Sequence, residues 1–196
     1  MTSANHPIPK HRASGKVLTV LGPIEPAKAG ITLTHEHLFI DFRAVFQEPE
    51  GVTARRMARE KVSLENLWWV RYNWNGSQDN LVIEDEAVTI REAGEFFRAG
   101  GSTIVDVTTV GLHRDPDALV RVSRATGLNV VMGAGFYVGM THSEWLKKAS
   151  VDEIAGAIIR EIDAGVDGTG VRAGIIGEIG CSWPWQGSEK KVVQAA

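Results

Sequence analysis

The feature that most limits the fold is a repeated alternation of short apolar strands and amphipathic helices along the chain. Residues 31–34, 103–107, 129–133 and 173–178 read as strands, the longer ones apolar on both faces. Such strands belong to parallel sheets covered by helices. Helices are predicted between and after them. Residues 83–99 are closed by Gly100-Gly101, a C-terminal stop. Residues 116–125 follow Asp115 as N-cap, with Pro116 at the first helical position and Gly127 past the end. Ser150 caps residues 151–164, with Glu153 at the capping-box position. A further helix starts at Ser188. The order β-α-β-α-β-α-β-α fits a doubly wound sheet or a (β/α)8 barrel. No Gly-x-Gly-x-x-Gly follows the first strand, so a dinucleotide site has no support.

The remaining segments are less regular. Residues 1–15 mix Pro, Ser, His and Lys and read as a flexible tail. Residues 16–21 read as a preliminary strand, turned back by Gly22-Pro23 and Glu25-Pro26. Residues 41–82 are too long for a plain loop and read as an insertion, partly helical. Its aromatic cluster around Trp68, Trp69, Tyr72 and Trp74 is expected to pack the insertion over the barrel.

Composition narrows the function. The formal net charge is -3 and no long Lys/Arg run occurs, so neither nucleic acid nor an anionic membrane is an expected partner. The single cysteine, Cys181, cannot form an internal disulfide and reads as a buried thiol. The first sixteen residues hold no apolar signal core, and no run approaches the roughly 18 apolar residues of a membrane span. A cytoplasmic protein acting on a small molecule is the expectation.

His35 and His37 carry the clearest chemistry. In a strand, residues two apart face the same way, about 6.6 Å apart along the backbone. Two imidazoles so placed can converge on one metal ion, while Glu36 points elsewhere. They lie at a strand's C-terminal end, where active sites of parallel α/β folds form. Glu178 ends another apolar strand, where a carboxylate is costly to bury unless paired or bound to a cation. Asp106 reads as a group paired to neighbouring backbone or side chains, and Arg114-Asp115 as a helix-start ion pair or cap. His113 and His142 read as exposed rim histidines.

The run Thr34-His35-Glu36-His37-Leu38 resembles the opening of phosphotriesterase-family enzymes, within the amidohydrolase superfamily. Gly133-Ala134-Gly135-Phe136-Tyr137-Val138 and Gly174-Ile175-Ile176-Gly177-Glu178-Ile179-Gly180-Cys181-Ser182-Trp183-Pro184 are similar to its phosphotriesterase-related branch. The resemblance implies a (β/α)8 barrel of which this chain is the N-terminal half, about four βα units. It implies two divalent metal ions, usually zinc, with His35 and His37 on one ion and Glu178 bridging both. Many members carry a carbamylated lysine where Glu178 stands. It implies a pocket lined by Tyr137, and hydrolysis of a small amide or ester, such as an N-acetylated amino acid, by a metal-activated water. Further ligands and the general base are expected beyond Ala196, so this chain alone is expected to be inactive. Phosphotriester or lactone hydrolysis is the alternative chemistry. A non-catalytic half-barrel that associates with another copy is the alternative role, since open strand edges invite pairing.

Overall fold

The computed structural model describes residues 15–196. Apart from Gly15, the expected N-terminal tail lies outside the described residues. The strands are β1 (Val17–Thr19), β2 (Gly22–Ile24), β3 (Thr32–Glu36), β4 (Ile40–Asp41), β5 (Val82–Ile83), β6 (Thr103–Asp106), β7 (Asn129–Ala134) and β8 (Ile175–Ile176). The α-helices are α1 (Val52–Met57), α2 (Leu67–Tyr72), α3 (Glu86–Arg98), α4 (Pro116–Thr126), α5 (Glu144–Lys148), α6 (Val151–Asp163) and α7 (Gly187–Ala195).

The main sheet is parallel, in the order β3-β6-β7-β8, with α3, α4 and α6 as crossovers. It is a curled half-barrel. The caps follow the sequence: the Asp115 side chain accepts from Ala118 N–H, and Ser150 and Glu153 form a complete capping box. Helix α3 starts later than its periodicity predicts. Val82 and Ile83 are taken by β5, and Asp85 caps the helix by accepting from Val88 N–H. The last strand is also shorter than predicted, since only Ile175 and Ile176 are paired, and both are exposed.

Ile104, Leu119, Val122, Val130, Met132 and Ile158 form the core between sheet and helices. A smaller group, Val105, Val107 and Val131, is covered by Val17 of the preliminary strand. That strand forms an antiparallel hairpin with β2, so Gly22-Pro23 lies in a strand and the turn falls just before it. Val20 N–H donates to the Val130 carbonyl at 2.8 Å and ties the hairpin to β7. Gly174 is required beside it, because a Cβ there would sit 2.0 Å from the Leu18 carbonyl oxygen.

Strands β4 and β5 pair antiparallel and hold the intervening chain between them. That segment has its own small core of Ala58, Trp69 and Val70, with Phe46 and Met57 against it. The aromatic cluster packs only in part. Trp69 is buried, but Trp68 and Tyr72 are 62% and 88% exposed, because a two-turn helix can press only one face onto its support.

Candidate metal centre

His35 lies in β3 and His37 just past its end. Between Leu33 and Glu36, β3 slips by one residue against β6, a bulge at the strand's C-terminal end. The two imidazoles project to the same side, with ring centroids 5.6 Å apart and planes at 81°. Glu36 takes no part in their cluster and lines a groove of about 390 Å³ with Ile83, Val88 and Glu92.

Glu178 reaches them from across the half-barrel. His35 Nε2 lies 3.7 Å from Glu178 Oε1, and His37 Nε2 lies 3.6 Å from Glu178 Oε2. The three donors form a group whose ligand atoms all lie within 4.8 Å of one another. Glu178 is carried there by a close backbone approach. A Cβ on Gly177 would stand 3.0 Å from the Gly133 Cα, and one on Gly133 would stand 2.9 Å from the Gly177 Cα. Only glycine at both positions lets β7 and the end of the β8 segment come this near. Gly177 N–H then donates to the Ala134 carbonyl at 2.6 Å.

A buried network stands behind His37. Its Nδ1 lies 2.9 Å from the Thr108 hydroxyl. Asp106 Oδ1 accepts from Thr108 N–H at 2.9 Å, and Oδ2 from Leu38 N–H at 2.7 Å. One carboxylate thus joins the residue after His37 to the loop after β6. Burial pushes the Asp106 carboxyl up, against the opposing pull of the Leu38 N–H and the Thr108 hydroxyl and N–H. Burial also lowers the His37 pKa and so favours the neutral imidazole that can donate a lone pair, an effect the Glu178 charge partly offsets.

Tyr137 follows β7 at the same end of the sheet. Burial, and secondarily the charge of Glu178, raise its pKa. Its ring lies 5.8 Å from that of Phe42, which stacks on Trp74 at 6.3 Å. An aromatic wall therefore runs from the barrel rim into the inserted segment.

Residues 15–196 match the phosphotriesterase family. The chain belongs to the phosphotriesterase family. It is 45% identical to N-acetyltaurine hydrolase of Salmo salar over 183 residues, which are 93% of this chain and 52% of that protein. The human protein of the same name is 43% identical over the same proportions. A resiniferatoxin-binding protein from Rhodobacter sphaeroides superposes with a TM-score of 0.91 at 39% identity, covering 95% of this chain and 52% of the other. The chain thus spans about half the length of the curated relatives it matches. Of the two architectures the alternation allowed, the (β/α)8 barrel is the one its structural neighbours have.

Two residues of this phosphotriesterase-family chain differ from their sequence reading. Cys181 is exposed, because it follows β8 in an open loop and not in the sheet. His142 is buried: Nδ1 lies 2.9 Å from the Ser188 hydroxyl and Nε2 lies 2.9 Å from the Tyr137 carbonyl oxygen. His113 is exposed at the rim. Arg114 is an ion-pair residue, bidentate to Glu161 at 2.6 and 3.0 Å and bonded to Asp167 at 3.0 Å.

Sequence reading missed Thr108 and Glu189. Thr108 resembles any β-branched residue near a strand end. Glu189 sits in the first turn of α7 and is fully buried. It accepts from Gly139 N–H at 2.8 Å, Gln186 N–H at 3.0 Å, and both the N–H and hydroxyl of Ser182 at 3.1 Å. Despite burial, these bonds hold its pKa down at about 2.

Proposed function

We propose that His35, His37 and Glu178 hold a divalent metal, most simply zinc, in a hydrolase that cleaves a small amide or ester such as an N-acetylated amino acid. The observation that carries this reading is the spacing of the three donors. At 3.6 and 3.7 Å, the His–Glu contacts are too long for hydrogen bonds. They are close to the roughly 3.3 Å between ligand atoms around a tetrahedral zinc. Neutral imidazole and carboxylate are also the donor types that zinc takes at catalytic sites. When bound there, a divalent ion would supply Lewis-acid polarisation of the scissile carbonyl and a lowered pKa for water.

The remaining roles belong to the chain's own side chains. Glu178 would supply the carboxylate of the centre, with one oxygen toward each imidazole. Tyr137, backed by Phe42 and Trp74, provides an apolar wall with one hydroxyl for the substrate. Its similarity to proteins named N-acetyltaurine hydrolase supports an N-acylated small amino acid as the substrate class. A two-ion centre needs more donors than the three that converge among the described residues, so the 196-residue chain assayed alone is expected to be inactive.

The test is metal analysis of the dialysed protein beside His37→Ala and Glu178→Ala. Wild type should retain zinc and both variants should lose it. Unchanged metal content in His37→Ala would remove that residue from the centre. Assays with N-acetyltaurine, a lactone and a phosphotriester on a longer version of the chain would then rank the substrate classes.

A further inference from the structure

The two imidazoles are not held alike. His35 has a largely exposed side chain and no hydrogen-bond partner among the described residues. His37 is half-buried, with its Nδ1 2.9 Å from the Thr108 hydroxyl, and that side chain is fully buried. Thr108 is in turn held by Asp106, whose carboxylate accepts from its backbone N–H. The same carboxylate fixes Leu38 N–H, one residue past His37. Both the ring and the backbone that carries it are therefore anchored to the end of β6.

We propose that Thr108 is a positioning residue for the metal centre, its hydroxyl accepting from His37 Nδ1–H so that Nε2 presents its lone pair toward Glu178. The inference rests on the metal-centre reading. The direction follows from the metal-centre reading: Nε2 faces Glu178 and needs its lone pair for the ion, so the ring proton lies on Nδ1 and the Thr108 oxygen 2.9 Å away accepts it. Fixing the tautomer in this way also fixes the plane of the imidazole. Partners that do this for metal-bound histidines typically change metal affinity by 10–100-fold when removed. A hydroxyl is a milder partner than a carboxylate here, because it orients the ring without placing a second charge beside it.

The experiment pairs Thr108→Val, nearly the same shape without the hydroxyl, with Thr108→Ser, which restores it. Zinc affinity is read by competition with a chromophoric chelator. The His37 tautomer is read in the metal-free full chain from ring ¹⁵N shifts at mildly alkaline pH. Thr108→Val should bind zinc about 10–100-fold more weakly and show a mixed tautomer, while Thr108→Ser stays within a few-fold of wild type. A merely structural role would lower the melting temperature of Thr108→Val and leave both readouts unchanged, which would overturn the proposal. If wild type binds no zinc, the metal-centre reading fails. The tautomer still decides Thr108, because the proton on Nε2 in wild type overturns the assignment. That wild-type spectrum also serves if Thr108→Val does not fold.

Discussion

Glu189→Gln isolates one buried charge. Its carboxylate is surrounded by four donors from three places: Gly139 after β7, Ser182 after β8, and Gln186 at the start of α7. An ordinary value of 4.5 reduced to about 2 corresponds to about 3 kcal/mol of preference for the ionised, folded form. The amide keeps one oxygen but turns an NH2 toward N–H groups that need an acceptor, leaving buried donors unsatisfied. We expect the variant to lose about 2–4 kcal/mol at neutral pH, measured as a drop in urea midpoint at unchanged slope. The pH dependence has a definite sign. The folded-state value is depressed, so the stabilisation is fully present above about 4.5 and is lost as pH falls toward about 2. Wild type and variant should therefore converge in stability across that acid window. A gap that stays constant with pH, or a variant as stable as wild type at neutral pH, would refute the argument.

Two further changes test the frame of the site. Arg114→Met leaves Glu161 without its bidentate partner in a mostly buried setting, and should cost about 3 kcal/mol, roughly 10 °C in Tm. Arg114→Lys should recover little of this, since an ammonium cannot match the fork; full recovery in a thermal melt would contradict the geometry. Gly177→Ala places a Cβ 3.0 Å from the Gly133 Cα and 3.1 Å from the Ala134 carbonyl oxygen. It should cost about 1–3 kcal/mol in denaturation and reduce zinc retention, because Glu178 is the next residue.

The parts of the fold visible in sequence were those written in local patterns. Capping residues such as Asp115 and Ser150 mark helix starts wherever they occur, because they satisfy N–H groups within three residues. His35 and His37 were legible as a pair for a similar reason: strand geometry sets their common side within three residues. Glu178 was legible only as a carboxylate ending an apolar strand. That it stands beside residues 35 and 37 depends on the curl of the sheet and the glycine contact between Gly133 and Gly177. Thr108 was illegible because its partner His37 lies 71 residues away, and Glu189 because its burial and its bond to Gly139, 50 residues away, depend on how the loop after β7 packs on α7. Cys181 and His142 were misread because burial next to a strand end depends on where the following loop goes. The period-2 pattern also gave no warning of the bulge in β3, since one extra residue leaves composition unchanged.

The ribbon of β4 and β5 separates two kinds of information. Above it, Trp74 belongs to a segment stabilised by its own group of Ala58, Trp69 and Val70. Below it, the ligand candidates hang from the parallel sheet. The two parts join through a ladder of two residue pairs, Ile40 with Ile83 and Asp41 with Val82, and through the ring contact of Phe42 with Tyr137. Sequence change within residues 42–81 can therefore reshape the aromatic wall while the donor spacing stays where the sheet puts it. Such an arrangement uncouples the aromatic wall from the backbone that sets the spacing of His35, His37 and Glu178.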